Sequence, residues 1–582
     1  MSRLLSRTPL APCLAPCPRS SLFSYLSPST RSAHYATTPS VTSSRGHSAS
    51  RNSRRRTDES TPPESQRHAP STRGNISQPP RLLMPFELSR RITSLCNKDN
   101  VDGAVELLQN SPLDAQNIKV WNTLIQQCFE AKRYKLAFRL FTDLKRRGFQ
   151  PSLRTFSTMM TYYAQIDDWA PYSKQLESVN TVFDHLLKYI GDGRVDISDP
   201  VDASYARYNI ALYIGILGRS EQHQRMFDVF HELPHEGPLA PDGKIFGALL
   251  ISLSKRYAIP GQQRSGLHPK TVSDVKFVWR QMMRSLEKQP DIVSSLNYRA
   301  IDATFVVLST GEPAWHPMAF DILRDFYGLS YPDKELRPPR VEMSDRSLTL
   351  ILRTCNQLEK YEHCVGYFDQ VMADPPMQKH LRPWHMYEVL KARIGLAAAG
   401  HKDQSLQALR LLEWGKRHPG FVKLDGASGN MALELCWKEH NWPTALAIFT
   451  LVTGRSGSLD VLEKFAGRGS LAIHGKAWCH LARTALVSDV NGIRHCLHII
   501  ETYGGSVLDQ LDENPKEVAS AAATDSRMMD DAFPALLVRL IERAQPKDPK
   551  NPVAEDVGLR WATLKDAATR FIARMDKPTR RS

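Results

Sequence analysis

The feature that most constrains this chain is a unit of about 35 residues, plainest from Ile118 to Ser152. Self-similarity at such a period means a stack of supersecondary units. Within the unit, Trp121, Leu124, Ile125 and Cys128 recur at helical spacing and form one apolar stripe. Leu136, Ala137, Leu140, Phe141 and Leu144 form a second, with a short break at Lys132-Arg133. Lys145, Arg146 and Arg147 suit the negative C-terminal end of the second helix, Gly148 supplies a left-handed stop, and Pro151 blocks continuation. One hairpin cannot bury both of its stripes, whereas stacked hairpins can.

The neighbours keep the period. Ser89–Gln109 places Ile92, Leu95, Ala104, Leu107 and Leu108 in register, and Ser89 stands 33 residues before Asn122. Leu153–Ala164 places Ser157 35 residues after it. Beyond this the pattern loosens. Helical pairs are expected in Tyr208–Leu233, Leu348–Met372, Asn430–Phe449 and His480–Ile500, and Gly243–Tyr257 opens another. Between them, 165–203, 258–270, 328–345 and 452–475 read as Pro-, Gly- and Ser-rich insertions, and 528–575 reads as helical. The expected fold is all-α, with roughly ten helical pairs, several of them degenerate. Its parts are well-formed repeats over 85–165, a degenerate solenoid with insertions over 166–505, and a C-terminal helical segment over 506–582. No run of 18 apolar residues occurs, so no transmembrane helix is expected.

The unit at Ile118–Ser152 resembles the pentatricopeptide-repeat (PPR) family. The features that carry this are Trp121-Asn122-Thr123-Leu124-Ile125, Ala137, Leu140-Phe141 and Gly148-Phe149-Gln150-Pro151-Ser152. The tetratricopeptide repeat wants a small residue where Ile125 stands and lacks this ending. The resemblance is strong over 86–165, scattered up to about 500, and absent from the termini. It implies a right-handed superhelical solenoid whose first helices line a groove that reads single-stranded RNA, about one base per repeat; free base edges make such strands readable.

By the same resemblance, the reader sits just before Thr-Leu-Ile and its partner is the last residue of the unit. That gives Asn122 with Ser152, Ser89 with Asn117, and Asn209 with Asp242, plus the single positions Ser157, Thr349 and Asn430. Asn–Ser implies a pyrimidine and Ser–Asn adenine, whereas Gly247 should read nothing. Lys119 and Arg154, three residues before a reader, would pack against the base face. A competing expectation is that Asn122 and Asn430 are helix caps, a position asparagine favours. Stacking contributes roughly 1–3 kcal/mol per base, so three clear repeats need added phosphate contacts or a protein partner.

Charge adds an address. The net charge is +15, but residues 1–85 hold twelve Arg, no Lys and only Asp58, Glu59 and Glu64, a surplus of nine. The body is thus only mildly basic. Residues 1–57 carry no acid and are rich in Ser and Arg, the composition of a mitochondrial transit peptide. The expected segments are a transit peptide over 1–36, with cleavage near Arg31–Ala36, and a disordered Ser/Pro/Arg-rich linker over 37–84.

Catalytic signatures are missing from the sequence. No His-x-Glu with CxxC holds a deaminase zinc, and no Walker loop or dinucleotide fingerprint occurs. Asp525, Asp530 and Asp531 read as a solvated face. Cys479, His480, His495, Cys496 and His498 are zinc-ligand types at spacings that match no common motif, and Cys496 falls where the repeat wants a small core residue. The nine cysteines are scattered and read as reduced thiols in the core. The chain is therefore expected to be a monomeric, non-enzymatic protein of the mitochondrial matrix without cofactor or metal. Its partner would be single-stranded mitochondrial RNA, rRNA or mRNA, in maturation, stability or translation, leaning to small-subunit rRNA processing or intron splicing. The alternative is a scaffold subunit on the small subunit of the mitoribosome, held by protein contacts.

Overall fold

The computed structural model describes residues 84–256, 269–332, 337–418, 424–454, 475–511, 532–545 and 555–575. The leader expected over 1–36, the linker up to residue 83, Cys13, Cys17, and the acids Asp525, Asp530 and Asp531 lie outside them. The described residues are helical throughout, without a strand. No helix among them is long and apolar enough to cross a membrane. Contacts divide the chain into two compact units, one ending at Asn209 and one from Ile210 onward.

In the first unit the helices are α1 (Pro85–Cys96), α2 (Val101–Asn110), α3 (Ile118–Glu130), α4 (Tyr134–Arg146), α5 (Leu153–Tyr163), α6 (Ser173–Gly191) and the start of α7 (Pro200–Arg219). The first helices of the pairs stack in order, α1 on α3 and α3 on α5, with α2, α4 and α6 behind them. The stripes are apolar because this stack buries them: Trp121, Leu124, Ile125, Leu140 and Phe141 are each at most 1% exposed. The segment read as an insertion at 165–203 contains α6, the missing second helix of its pair. Val179, Val182, Phe183, Leu186 and Ile190 give it a buried stripe that its polar neighbours mask in the sequence.

The second unit continues with the rest of α7, then α8 (His223–His231), α9 (Gly243–Lys255), α10 (Pro269–Lys288), α11 (Tyr298–Ser309), α12 (His316–Ile322), α13 (Asp345–Gln357) and α14 (Tyr361–Ala373). A short α15 (Pro375–Gln378) leads to α16 (Pro383–Ala398), α17 (Gln404–Arg417), α18 (Gly426–Glu439), α19 (Trp442–Thr453), α20 (Gly475–Val487) and α21 (Val490–Tyr503). One turn, α22 (Gly505–Asp509), follows, and α23 (Phe533–Ala544) pairs with α24 (Glu555–Met575). The inner order α9, α11, α13, α16, α18, α20 runs unbroken by direct packing. A π-helical turn, Leu323–Tyr327, extends α12.

Six hairpins close in one way. After the first helix, one residue takes positive φ and the next amide reaches back to the carbonyl five residues earlier, which terminates the helix with its last carbonyls satisfied. This occurs at Asn100 to Leu95 (3.0 Å), Arg133 to Cys128 (2.8 Å), Gln222 to Leu217 (2.9 Å), Lys360 to Cys355 (2.8 Å), His401 to Leu396 (3.0 Å) and Asn441 to Cys436 (2.9 Å). The left-handed residue is Gly400 in one hairpin, and Asp99, Lys132, Glu221, Glu359 or His440 in the others. Three buried cysteines, Cys128, Cys355 and Cys436, occupy the same place in three hairpins. Burial pushes all three thiols up, Cys128 to about 12. The α4 end follows the same rule: Gly148 has φ +85° and Phe149 N donates to Leu144 O at 3.2 Å.

The cost of a Cβ in the left-handed region is about 1–2 kcal/mol. Lys132→Gly is therefore expected to raise the stability of the purified protein, and with it the thermal midpoint, by about 1 kcal/mol or less after the added chain entropy. Gly400→Ala is expected to lower the stability by about 1–2 kcal/mol, and the midpoint with it. Equal shifts of one sign for both, measured by circular dichroism melts, would contradict the shared turn geometry.

Candidate nucleic-acid interface

Six inner helices, α3, α5, α9, α11, α13 and α18, begin alike, whereas α1 and α16 follow Met84 and Arg382, whose side chains make no cap hydrogen bond. In those six, the residue before the first turn is short and polar and accepts from a first-turn amide, as an N-cap should. Asn117 accepts from Val120 N at 3.0 Å, and Asp242 accepts from Lys244 N at 3.0 Å and Ile245 N at 3.1 Å. Asn297 accepts from Arg299 N at 3.0 Å. Ser152, Ser344 and Asp425 form reciprocal boxes with Thr155, Ser347 and Ser428. The residues that the sequence paired with readers, Asn117, Ser152 and Asp242, are thus the caps of α3, α5 and α9.

Counting five residues on from each cap fixes a common register. It contains Ser89 (from Met84), Asn122, Ser157, Gly247, Asp302, Thr349, Tyr387 and Asn430. The expectation that Asn122 and Asn430 are caps is corrected, since both lie inside their helices, a full turn past the cap. Asp302 and Tyr387 were missed in the sequence; the cap spacing, once known, finds both.

The members of the register meet different fates. Asn122 is half-buried and its Oδ1 is enclosed without a hydrogen-bond partner; Asn430 is alike. No hydrogen bond joins Asn122 to Ser152, whose hydroxyl is engaged with Thr155. Ser89 Oγ lies 3.1 Å from Thr123 Oγ1. Asn209, fully buried, donates from Nδ2 to Ser157 Oγ at 2.9 Å and to Tyr205 O at 2.8 Å. The structure thus joins Asn209 to Ser157 and encloses both. At Gly247 a Cβ would come within 3.5 Å of Ala300 Cβ, so α9 and α11 approach closely there.

Thr349 has no capacity left for a base. Arg382 N donates to His385 Nδ1 at 3.0 Å, which places the ring proton on Nε2. Nε2–H then donates to Thr349 Oγ1 at 2.8 Å, and Trp384 Nε1 donates to the same oxygen at 2.9 Å. The Thr349 hydroxyl itself donates to Asp345 O at 2.9 Å. Burial lowers the pKa of His385 to about 4, so the ring is neutral. Asp302 is also committed: Tyr327 OH donates to Oδ1 at 2.7 Å and Ser347 Oγ to Oδ2 at 2.8 Å. Tyr387 OH donates to Asp425 Oδ2, the cap of the next inner helix.

Two residues past the cap, the side chain faces solvent. Lys119 and Arg154, the expected base-packing residues, are exposed there and form no ion pair among the described residues. Phe86, Lys244, Arg299, Arg346 and Trp384 hold the same position in their helices. The C-terminal cations of α4 are structural: Lys145 Nζ lies 3.1 Å from His185 Nδ1, Arg146 pairs with Asp143 at 3.5 Å, and Arg147 donates to Gln116 Oε1 at 3.3 Å. Among the described residues, no group of three or more His, Cys, Asp or Glu is placed to hold a metal ion. Cys479 and Cys496 are buried thiols.

Residues 116–165 match the PPR repeat family. No curated protein matches the chain. Among solved structures, the pentatricopeptide repeat protein PPR10 from maize aligns at 13% identity with a TM-score of 0.29, over 84% of this chain and 60% of that one. This chain thus spans less than two thirds of the maize protein's length. PPR10 in complex with an 18-nt psaJ RNA element aligns at 12% identity and a TM-score of 0.28, over 84% and 70%. Yeast Tom70 aligns at 10% identity and 0.21, over 85% and 97%.

Burial of Asp302 raises its pKa to about 7; the hydrogen bonds from Tyr327 and Ser347, and then Arg299, act against the rise. An unfolded aspartate titrates near 3.9. The unfolded chain therefore loses this proton first, and stability falls as pH rises from about 4 to about 7. Asp302→Asn keeps an acceptor for Tyr327 and a donor for Ser347. It is expected to flatten that decline and to raise the melting temperature at pH 8. An unchanged slope between pH 4 and 7 would contradict the enclosed carboxyl.

Proposed function

We propose that this pentatricopeptide-repeat protein, matched to that family over residues 116–165, binds single-stranded RNA through α3 and its neighbours in the first unit. The observation that carries the reading is Asn122 Oδ1. It is enclosed without a partner, one helical turn from the exposed, unpaired cation of Lys119. A buried acceptor left open costs about 1–3 kcal/mol, a cost that an RNA base with its hydrogen-bond donors recovers on binding. Lys119 and Arg154 then meet the base face or the phosphates. Asn430 repeats the open acceptor in the second unit. Ser157, Asp302 and Thr349 are spent inside the protein, so base selection rests on few repeats.

The Ser- and Arg-rich, acid-free start of the chain supports a place in the mitochondrial matrix, with RNA maturation, stability or translation as the task and small-subunit rRNA processing or intron splicing as the favoured steps. The closed positions in the second unit favour a second reading, a subunit attached to the small mitoribosomal particle by protein contacts. A salt series of RNA affinity separates the two: a steep slope belongs to the first, and co-sedimentation with particles without affinity for free RNA belongs to the second.

Asn122→Ala together with Ser89→Ala is expected to weaken binding to RNA crosslinked to the protein in mitochondria by roughly 10-fold, the size of one or two lost hydrogen bonds, with helical circular dichroism unchanged. Unaltered affinity sinks the reading. Protein recovered from mitochondria is expected to begin beyond residue 30; an intact Met1 would remove the import signal.

A further inference from the structure

Two connectors in the second unit are longer than a regular repeat needs. Between α4 and α5 the chain turns in six residues, 147–152, but between α8 and α9 it takes eleven, 232–242. Between α10 and α11 it takes nine, 289–297, wound partly into a 3-10 turn, Pro290–Ser295. The added chain does not pack flat. With α8 and α10 it encloses a cleft of about 650 Å³. Clefts that hold small molecules measure roughly 300–1,000 Å³. None of Asp242, Lys244, Gly247, Asn297, Arg299 or Asp302 lines it, so it is separate from the caps, the register and the exposed row of α9 and α11.

The walls of the cleft are held in place. Gly243 starts α9 directly against the 3-10 turn: a Cβ there would come within 2.5 Å of Ile292 O, and Gly243 N donates to Ser295 Oγ at 2.9 Å. Lys288 Nζ lies 2.9 Å from Glu236 Oε1, which ties the long connector to the end of α10. The floor is apolar. Phe230 and Phe246 meet edge to face with centroids 5.9 Å apart, and buried Ile292 lines the same cleft. The rim carries unspent donors. Arg284, Gln281 and Gln289 form no side-chain hydrogen bond or ion pair among the described residues. The lining carboxylate, Glu236, is already neutralised by Lys288. Glu232, Glu287 and Asp291 are exposed neighbours in the chain that do not line the cleft.

We propose that this cleft binds a small organic anion, an apolar ring bearing a carboxylate or a phosphate. The ring rests on Phe230, Phe246 and Ile292, and the anionic group takes hydrogen bonds from Arg284 and its neighbours Gln281 and Gln289. The floor recovers the apolar area that such a ring exposes to water. The guanidinium of Arg284 supplies charge-assisted hydrogen bonds, the strong kind for a carboxylate or phosphate. A concave site with a few convergent donors over an apolar base suits a small ligand rather than a strand. Bound there, the ligand bridges α8, α10 and the long connector, and so stabilises the folded state by mass action. The proposal stands apart from the RNA-binding reading and shares none of its residues.

The test uses the full chain and phenyl phosphate, followed by ligand-observed NMR saturation transfer and by the rise of the thermal midpoint with ligand. A dissociation constant on the order of 1 mM is expected, since so few heavy atoms allow little more. Phenol and inorganic phosphate are each expected to bind roughly 10-fold more weakly or worse, because each engages half of the cleft. Arg284→Met keeps the apolar stem and is expected to weaken phenyl phosphate roughly 10- to 150-fold. Gln281→Trp fills the cleft and abolishes binding. Glu236→Gln frees Lys288 and is expected to tighten binding roughly 5-fold, the worth of one unit charge at about 4 Å in water. A pair with a structural role alone gives no such gain. Arg284 and Glu236 are exposed, so these two changes leave the helices intact. No binding by the parent overturns the proposal, as does binding that Arg284→Met and Gln281→Trp leave within twofold; the RNA reading survives either result. Displacement of phenyl phosphate by a 12-mer of U also overturns it, because the cleft then belongs to a strand.

Discussion

The side-chain caps that start six of the inner helices govern which side chains stay exposed and which are enclosed. One short polar side chain, such as Asn117, Ser152 or Asp425, satisfies first-turn amides that would otherwise be orphaned. That fixes where the helix begins and therefore which residue two places on meets solvent and which five places on turns toward the next helix. The buried stripes hold the helices together, but the caps set their phase. The exposed row of Lys119, Arg154, Arg346 and Trp384 and the enclosed row of Asn122, Ser157, Thr349 and Asn430 both follow from it.

The fold was largely legible because a helix stripe has to be apolar at a fixed spacing. Trp121, Leu124, Ile125 and Cys128 announce α3, and Gly148 with Pro151 announces the end of α4. The pairs α11–α12 and α16–α17 were not named in the sequence, and α6 was taken for an insertion. In α6, Val179, Val182, Phe183 and Leu186 sit among Lys, Asn, Asp and His, which reads as loop until a neighbouring helix shows what is buried. Helix ends were less legible than helix faces. Five turns place a charged or polar residue where glycine would be expected, so Lys132 and Glu359 gave no glycine signal.

The site was legible in position more than in state. The periodicity put Ser157, Asn209, Thr349 and Asn430 on first helices of pairs, and they lie in the helices α5, α7, α13 and α18. Whether a side chain there is open or spent depends on a residue in the next repeat, 35 or more positions away. Thr349 is saturated by Trp384 and His385, and Ser157 by Asn209. No local pattern encodes such a partnership. The same dependence hid Asp302, whose carboxylate reads as surface charge until Tyr327 and Ser347 close around it.

The cysteines at the hairpin ends carry a consequence for how the array comes apart. Cys128, Cys355 and Cys436 are sealed in the core with their thiols held protonated, so the reactive thiolate is scarce while a hairpin stays closed. A stack of units that touch only their neighbours can open one section at a time. Each thiol then acts as a latch indicator for its own section: alkylation marks the hairpins that breathe, and its order along the chain traces the route by which the stack unzips.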